Sequence, residues 1–566
     1  MREQKQVARL FWTLNIGWWV LNLVQACFME LANDEAYYWM FSKNLDWGYF
    51  DHPPMIAVFI FLGQFLKGEI GVRLVSTLAQ PVFLYLLWKI IAPADTTRKS
   101  VWLFFAVAFA MPILHIYGVV AVPDAPLMLF ATLFLYVFIR YCKSHRWQDI
   151  LWMGITIAAI GYSKYTGVLV VIFSVLAYPK ILLKKGIYLA AILAFVLLLP
   201  HLYWQYTHDW VSFEYHLIGR NTSFKWEFVW LYLLSFVGVF NPFLFPIFIR
   251  NGFSKNNKTL EMSILWRMSI FFFLFFLISC KKGIVQPQWF IVVVLAVMAL
   301  VWHFAVHRHK IQKYVFWVGI ITGILMLFFR VELIFNHFHL KSEFFNNKTA
   351  CTELAAEVGE KPIIFFGNYG LASKYNFYTD NEAIAYPNIY CRAHQYLFWN
   401  TEEQWTDKAV VVESYPNNIS KTMKLSNGYV FNYQIDSNFF SVKKVKIILL
   451  NALPEAIYNG DSLHFHLQIK NPYPYAVETK DIRFFMRVPW TSCRSYPLTP
   501  SPTSIEPKSE VEMQTSIFVN NLEDFETQRA EAGFVILSPP VPFWYNSKIK
   551  TVKTAIDNPN QLRRNK

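Results

Sequence analysis

The sequence predicts a polytopic α-helical membrane protein of about eleven transmembrane helices, followed by a soluble C-terminal region made of an α/β subdomain and a β-sandwich. Composition is the first observation: 55% of the 566 residues are hydrophobic and only 16% are charged, whereas soluble domains carry roughly 25% charged residues. The second is the arrangement of the apolar residues. Runs of membrane-spanning length follow one another as far as residue 334, and the sequence beyond is mixed, polar and strand-like.

The apolar runs define the predicted transmembrane helices. A helix needs roughly 20 apolar residues to cross a typical hydrocarbon core. The runs lie at residues 10–29, 70–91, 101–121, 125–142, 150–162, 166–182, 187–203, 228–249, 261–279, 289–306 and 314–334. The first is too long for the apolar part of a cleavable signal peptide and lacks a small-residue cleavage site, so it predicts a first transmembrane helix.

A further apolar segment, residues 55–67, is too short to span with ease. Gly68 and Gly71 separate it from the next run. It predicts an interfacial or re-entrant helix, and the alternative is that it forms part of a longer, tilted second helix.

Charge indicates the orientation of the chain. The first 334 residues hold 28 Lys+Arg against 15 Asp+Glu, and the remainder holds 24 against 23. The basic residues form short clusters between apolar runs, which is typical of cytoplasmic loops and argues against nucleic-acid binding. An odd number of spans then places the N-terminus inside and the C-terminal region outside. The outer loops take most of the acids: Glu30, Asp34, Glu35, Asp46, Asp51, Asp124, Asp209 and Glu214.

The sequence thus divides into a membrane domain at 1–334, an extracytoplasmic α/β subdomain at 335–444 and a β-sandwich-like domain at 445–566. The subdomain is predicted from the helix-like stretch CTELAAEVGE and the apolar strands PIIFFG and KAVVVES. Strict alternation of apolar and polar residues at 463–470 indicates a half-buried strand, and the pattern recurs at 511–519. His464 and His466 share the polar face of the first of these strands, which favours a solvated face over a metal site.

The six cysteines are scattered and form no CxxC pair, so they do not predict a metal site. Three lie at or near the ends of predicted helices. Cys351, Cys391 and Cys493 fall in the soluble half, where two of them could form one disulfide but no disulfide framework is implied.

The first outer loop, Leu31 to Met55, is dense in acids and aromatic residues. Acids at a membrane surface are costly unless they pair, bind a metal or take part in chemistry. Asp34 and Glu35 precede three aromatic residues that would alone be typical of an interfacial anchor. Asp51 and His52 precede two prolines, which fix the backbone, and such rigid placement suits a metal or phosphate site.

Other polar groups are predicted on the same face. Asp124 starts a helix in VPDAPLML, where it could also serve only as a helix cap. The basic or hydrogen-bonding candidates for a phosphate are Lys164, His216, Arg220, Lys281 and Lys282. Each of them alone is also typical of a cation that anchors a helix end.

The order DEAYYW, WGYFDHPPM, VPDAPLML and SKYTG resembles the polyprenyl-phosphate-sugar-dependent glycosyltransferases of the GT-C class. The resemblance is to their bacterial branch, related to the protein O-mannosyltransferases and to the aminoarabinose transferases of lipid A. It covers roughly residues 1 to 330. The paired motifs of the first loop are its specific part, and SKYTG and QPQW are weak alone.

The resemblance implies roles for individual residues. The acidic motif of the family matches Asp34 and Glu35, with Asp34 as general base or acceptor-positioning group, and Asp124 joins them as a catalytic candidate. The stretch Phe50-Asp51-His52-Pro53 matches a Phe-Glu-Lys-Pro segment that supplies a metal-associated carboxylate and a phosphate-binding lysine. Here His52 stands at the lysine position. A Glu-His motif followed by Arg resembles Glu214-Tyr215-His216 and Arg220, with one residue inserted.

The expected chemistry is transfer of a sugar from a polyprenyl phosphate to an envelope acceptor, which is a lipid, a glycan or a protein. Asp34, Glu35 and Asp124 are the catalytic candidates, and His52, Lys164, Arg220, Lys281 and Lys282 are the candidates for the donor phosphate. Asp51 and His216 are the candidate ligands of a divalent metal. No nucleotide cofactor is expected. The expected location is the bacterial cytoplasmic membrane, and the alternative functions are a transporter or lipid flippase and a membrane-anchored scaffold.

Overall fold

The structure is a computed structural model. It describes residues 2–92, 96–219, 224–254, 259–387, 391–414, 421–458, 460–478, 483–488, 494–499, 503–520, 528–537, 547 and 550–555. The chain forms two compact units, Met1–Asn347 and Lys348–Lys566, called here the membrane unit and the C-terminal unit. The membrane unit thus ends beyond the predicted boundary at residue 334. The predicted division of the C-terminal region at residue 444 stays a prediction.

The described part of the membrane unit is helical. Its helices are α1 (Arg2–Phe28), α2 (Asn33–Lys43), α3 (Met55–Gly63), α4 (Glu69–Ile91), α5 (Arg98–Phe109), α6 (Pro112–Tyr117), α7 (Asp124–Ser144), α8 (Trp147–Ser163), α9 (Val168–Ala177), α10 (Lys185–Thr207), α11 (Val211–Glu214), α12 (Trp226–Val239), α13 (Phe245–Phe253), α14 (Leu260–Ser279), α15 (Val293–Ala305) and α16 (His309–Phe335). A π-helical turn, Tyr215–Gly219, follows α11.

Within the described residues, six of these helices are long and apolar enough to cross a membrane: α1, α4, α7, α10, α14 and α16. Each of the eleven predicted runs carries helix, which confirms the polytopic helical fold. Two runs that were predicted as single spans are broken, however. The run 101–121 divides between α5 and α6 at Pro112, and the run 228–249 divides between α12 and α13 near Pro242. Proline lacks the backbone N–H that a continuous helix needs, so these breaks have a local cause.

The short apolar segment after the first loop forms its own helix, α3. It begins after Pro53 and Pro54 and ends at Gly63, and Gly68 then adopts a φ of 76° before α4 starts. A positive φ reverses the chain at little cost only at glycine. The separate short helix is therefore confirmed, and the alternative of one long tilted helix is wrong.

The core of the membrane unit contains α15. This helix is apolar on all sides, and nearly every residue between Val293 and Ala305 is buried. A helix that is apolar all round is suited to the inside of a bundle. It packs against α4, α5, α13, α14 and α16. The Nε1 of Trp302 donates a hydrogen bond to the Ser100 carbonyl (2.9 Å), which satisfies the polar atom of this buried ring.

The helix α17 (Asn347–Val358) starts at the last residue of the membrane unit and continues into the C-terminal unit. The C-terminal unit also contains α18 (Tyr369–Tyr378). Its strands are β1 (Ile363–Phe366), β2 (Ala383–Tyr386), β3 (Val410–Glu413), β4 (Lys421–Lys424), β5 (Val430–Asp436), β6 (Lys446–Leu449), β7 (Ala456–Tyr458), β8 (Ser462–Lys470), β9 (Val477–Glu478), β10 (Arg483–Val488), β11 (Arg494–Pro497), β12 (Ser504–Ile505), β13 (Glu510–Phe518), β14 (Gln528–Leu537) and β15 (Lys550–Ala555). In the described residues, β2-β1-β3-β5-β4 form one sheet, in which β1 pairs in parallel with β2 and β3.

The later strands form two further main sheets in the described part of the chain, in the orders β13-β8-β6 and β11-β10-β14-β15-β7. Both contribute to one apolar core, in which the Phe465 and Phe534 rings meet edge to face at 5.2 Å. The predicted alternation on β8 is confirmed, since Phe465, Leu467 and Ile469 are buried. His464 and His466 lie on the opposite face. Cys351 and Cys391 are free thiols, and Cys493 lies outside the described residues.

Candidate active site

The first loop of the membrane unit is fixed on α10. The indole Nε1 of Trp204 donates to the Asp46 carboxylate (2.8 Å), and Nδ1 of His201 donates to the Trp47 carbonyl (2.6 Å). Between these contacts Gly48 lies directly on the Trp204 ring, where a Cβ atom would stand only 2.4 Å from Cε3. The sequence WGY therefore needs its glycine for close packing, and the loop is held as a rigid element.

Tyr49 closes this loop upon itself. Its hydroxyl lies 3.0 Å from both the Phe41 and the Asn44 carbonyls, and its ring stacks on Phe41 at 4.0 Å. The Oγ of Ser212 donates to the Tyr49 carbonyl (2.9 Å). Burial raises the pKa of the Tyr49 phenol, so the hydroxyl stays protonated and acts as a hydrogen-bond donor.

Glu35 is a fully buried carboxylate whose oxygens are all engaged. Nε of Arg73 donates to Oε1 (2.7 Å) and Nη2 to Oε2 (2.5 Å), and both side chains have no exposed surface. The backbone N–H groups of Ala32 and Ala121 donate to the same carboxylate, at 3.0 and 2.8 Å. A carboxylate with this many donors cannot accept a proton from a substrate. We therefore revise the catalytic prediction for Glu35 to a positioning role.

Arg73 extends this anchor to the end of α1. Its Nη1 and Nη2 groups also donate to the carbonyls of Ala26 (3.2 Å), Met29 (2.5 Å) and Glu30 (2.9 Å). Those carbonyls belong to the last turn of α1 and the residues beyond it, where intrahelical donors are missing. One guanidinium thus joins α1, α2 and α4 beneath the first loop.

Asp34, next to Glu35 in the sequence, is exposed. Its carboxylate and that of Asp124 both act electrostatically on the phenol of Tyr117, the last residue of α6. The two predicted acids therefore both lie within electrostatic reach of Tyr117, although 90 positions separate them in the sequence. Asp34 combines this location with access to solvent.

Asp124 is buried at the start of α7 and pairs with Lys164. The Lys164 Nζ lies 2.7 Å from Asp124 Oδ1, and the two side chains are only 9% and 4% exposed. Lys164 follows the last residue of α8, so the SKYTG segment delivers a cation to the acid of VPDAP. The structure brings together two residues that the sequence predicted for separate roles, one catalytic and one phosphate-binding.

Asp51, His52 and His216 form a second cluster. His216 Nε2 donates to the backbone carbonyl of Asp51 (2.8 Å), and the His52 and His216 rings lie 6.2 Å apart. The Tyr165 ring lies 5.3 Å from that of His216, and the Asp51 carboxylate acts electrostatically on the Tyr165 phenol. The predicted proximity of Asp51 and His216 is therefore present.

The metal-binding roles of Asp51 and His216 stay predictions. His216 Nε2 carries the proton that it donates to the Asp51 carbonyl, so a cation could be bound only through Nδ1 of this ring. In the described part of the chain, no group of three or more His, Cys, Asp or Glu side chains is placed to hold a metal ion.

The remaining predicted phosphate ligands lie elsewhere. Lys281 and Lys282 are exposed in the turn after α14, and their backbone N–H groups bond to carbonyls at the end of that helix. Arg220 lies outside the described residues. The phosphate-binding roles of these three residues stay predictions.

Arg73 and Tyr117 are the two residues of this site that sequence reasoning missed. Arg73 had a usable signal, because an arginine inside an apolar run is costly without a buried partner. Tyr117 had none, since a tyrosine in an apolar run is common near a membrane surface.

Comparison with known proteins finds similar sequences for part of the membrane unit. Residues 51–204 match the family model described as dolichyl-phosphate-mannose-protein mannosyltransferase. A lipid A galacturonosyltransferase, RgtD of Rhizobium johnstonii, is 27% identical over 183 residues, which are 31% of this chain and 38% of that protein. The match thus spans about two fifths of the length of this curated relative.

Solved structures show the same fold. ArnT from Cupriavidus metallidurans in the apo state superposes with a TM-score of 0.57 at 13% identity, covering 75% of this chain and 98% of ArnT. The same enzyme bound to undecaprenyl phosphate gives 0.54 at 13% identity, covering 74% and 97%. The predicted resemblance to the GT-C glycosyltransferases is confirmed, and within the described residues six helices are long and apolar enough to cross a membrane.

Proposed function

We propose that the protein transfers a sugar from a polyprenyl phosphate carrier to an envelope acceptor at the outer face of the cytoplasmic membrane. The observation that carries the proposal is that Asp34 and Asp124 both act electrostatically on Tyr117, with Lys164 paired to Asp124. A base for the acceptor and a cation for a leaving phosphate are the two groups that this transfer needs.

In this reaction an acceptor hydroxyl attacks C1 of the sugar, and the bond from C1 to the lipid phosphate breaks. Asp34 takes the proton of the hydroxyl, because it is exposed whereas the Asp124 carboxylate is buried against Lys164. Lys164 stabilises the charge that develops on the leaving phosphate. His52, Arg220, Lys281 and Lys282 are further proposed contacts of the phosphate, and Glu35 with Arg73 holds α2 so that Asp34 is presented.

The proposed donor class rests on two supports. The similar enzyme ArnT has been solved with undecaprenyl phosphate bound. The sequence also contains neither a glycine-rich phosphate loop nor a DxD-type nucleotide-sugar motif, which agrees with a donor presented by the lipid bilayer. We propose a lipid, glycan or protein acceptor.

The orientation follows from charge. We propose that the N-terminus is cytoplasmic and that the C-terminal unit is extracytoplasmic, because the basic loops then lie inside. The C-terminal unit would accordingly share the face of the acidic first loop and handle the acceptor. A chain shortened to the membrane unit should then still cleave the donor but lose acceptor choice, and unchanged acceptor choice would exclude this role.

The experiment that tests the function is release of free polyprenyl phosphate by the purified protein in lipid. It uses a panel of polyprenyl-phosphate sugars with an extract of envelope acceptors, and Asp34→Asn as the matched variant. Release by the wild type but not by the variant, with equal thermal stability, supports the proposal. If a folded wild type releases nothing from any donor, the transporter or flippase alternative becomes the better explanation.

A further inference from the structure

A cleft between α4, α6 and α7 lies beside the two carboxylates of the candidate site. Its walls include Ser76 and Gln80 of α4, Tyr117 of α6, Gly118 and Ala125. Tyr117 is the phenol near Asp34 and Asp124, and Ala125 follows Asp124 directly. The cavity volume is about 10 Å³, which is about the space that one water-sized group occupies. The cleft therefore has room for one small group.

Two polar atoms in the wall of this cleft lack partners. Ser76 Oγ and Gln80 Nε2 are buried, and neither has a hydrogen-bond partner among the described residues. Each residue is only 2% exposed. The two lie four residues apart on α4, so they share one face of the helix. Since buried polar groups are nearly always bonded in native proteins, this pair points to a ligand.

The orientation of the Gln80 amide is imposed by its neighbours. Arg330 Nη2 donates to Asn22 Oδ1 (2.8 Å), and arginine can only donate. The other atom of that amide, Asn22 Nδ2, therefore donates to Gln80 Oε1 (2.8 Å). Gln80 Oε1 is thus occupied, and the NH₂ group of Gln80 is the end of the amide that can donate hydrogen bonds into the cleft.

This network is itself well anchored. Arg330 also donates to Gln25 Oε1 (2.7 Å) and to the His115 carbonyl (3.1 Å), and only 5% of the residue is exposed. Gly118 leaves space for the arrangement, because a Cβ atom there would stand 1.7 Å from Gln80 Oε1. The donating face of Gln80 is thus positioned before any ligand arrives.

The charges beside the cleft decide which ligand fits. Asp34 and Asp124 are the charged groups that act on its wall residue Tyr117, and both are acidic. Lys164 is the cation in contact with Asp124, and its charge is already paired with that carboxylate. A phosphate would meet two carboxylates there, whereas a hydroxyl group can accept from the Gln80 amide and exchange a hydrogen bond with Ser76.

We propose that this cleft is a subsite for an uncharged, hydroxyl-bearing group, bound through the Gln80 amide and the Ser76 hydroxyl. The inference rests on the proposed function. A sugar hydroxyl of the lipid-linked donor and a hydroxyl of the acceptor offer the same chemistry, and the position beside Asp34 suits either. Gln80 and Ser76 would thus set the specificity of one of the two substrates.

The first test separates the two sources by steady-state kinetics. Gln80→Glu keeps the oxygen that accepts from Asn22 but loses the donors, and Ser76→Ala removes only a hydroxyl. Each should raise KM about 3- to 10-fold for one substrate, the loss that a single hydrogen bond implies. Thr77→Val is the matched control, because the Thr77 hydroxyl bonds only to the Leu74 carbonyl of its own helix (2.8 Å).

A rise in KM for the donor alone assigns the cleft to the donor sugar, and a rise for the acceptor alone assigns it to the acceptor. Both results support the subsite. Unchanged KM values for both substrates in Gln80→Glu and in Ser76→Ala would overturn it. Gly118→Ala gives an independent steric check, since its methyl group displaces the end of Gln80 and should have the same effect on the same substrate.

A second test does not require turnover. The variant Ser76→Cys in the full-length protein is treated with a small methanethiosulfonate reagent, with the wild type as the background for the natural cysteines. The reaction should slow at least 3-fold with a polyprenyl-phosphate sugar or an acceptor extract, but not with polyprenyl phosphate alone. A thiol that does not react, or reacts equally in every condition, overturns the subsite. If no transfer is found but protection is seen, the proposed function fails and the subsite stands.

Discussion

Replacing Arg73 by alanine should destabilise the membrane unit more than any other single removal of a charge discussed here. The guanidinium makes two hydrogen bonds to Glu35 and three to backbone carbonyls, and neither side chain of the pair is exposed. Arg73→Ala therefore strands a buried carboxylate and leaves two buried carbonyls, of Ala26 and Met29, and the partly buried carbonyl of Glu30 with fewer donors.

The magnitude follows from these contacts. Removal of one partner of a buried ion pair costs about 3–5 kcal/mol. Each buried carbonyl left without a donor adds roughly 1–3 kcal/mol, while total stabilities are about 5–15 kcal/mol. The N–H groups of Ala32 and Ala121 still reach Glu35, so they offset part of the loss. We expect little folded Arg73→Ala protein.

The assay is thermal unfolding in detergent, read by size-exclusion chromatography with fluorescence detection. Lys143→Ala is the control, because the Lys143 side chain that pairs with Glu261 is 53% exposed and such pairs contribute about 0–1 kcal/mol. Adding Glu35→Gln to Arg73→Ala should restore part of the stability, since it removes the stranded charge. A wild-type Tm for Arg73→Ala would refute the assignment of this pair as the anchor of the first loop.

Three further predictions follow. Gly48→Ala should lower transfer strongly, because its methyl group would stand 2.4 Å from Trp204 and push the first loop away from α10. Gly17→Ala is the control, because a Cβ atom there meets nothing within 4 Å, and it should leave the rate of polyprenyl phosphate release unchanged. Equal rates for both variants would contradict the rigid loop. Lys164→Met should lower both Tm and transfer, because it strands the buried Asp124, and adding Asp124→Asn should recover Tm without transfer; recovery of transfer as well would exclude Lys164 from the chemistry. Burial lowers the pKa of His394 in the C-terminal unit to about 3. As the pH drops, the unfolded chain therefore binds a proton at this histidine before the folded chain does. The free energy of unfolding falls between about pH 6.5 and pH 3, by about 2 kcal/mol at pH 5. Hydrogen exchange of β2 at pH 7 and pH 5 should show this loss in the wild type and less of it in His394→Phe, and an equal loss in both would refute it.

The sequence was sufficient to predict the helices, because each apolar run is a local signal. It was less informative about their interruptions. Pro112 and Pro242 lie inside runs whose hydropathy stays high across the break, so a rule based on average hydropathy joins the helices on either side. Residue-level attention to proline would have found both breaks. Four strands of the C-terminal unit, β1, β3, β8 and β13, were predicted for the same local reason, since alternation on β8 is visible in nine residues.

Sequence reasoning named several residues of the candidate site, but it missed Arg73 and Tyr117 and predicted none of the pairings. The pairs Arg73 with Glu35 and Lys164 with Asp124 join residues 38 and 40 positions apart. Such contacts depend on how whole helices pack, which no local pattern encodes. Asp51 and His216 meet through the Asp51 backbone carbonyl, and their metal-binding role stays a prediction.

Asp34 and Glu35 illustrate how one motif provides two different groups. Consecutive residues of an α-helix point about 100° apart, so when α2 turns Glu35 inward to Arg73, Asp34 necessarily turns away from it. Burial of Glu35 fixes the rotation of α2, and the rotation in turn places the Asp34 carboxylate in solvent beside Tyr117. If Asp34 is the proposed base, the buried Glu35 is a physical requirement for it, because a helix free to rotate would not hold Asp34 towards a substrate.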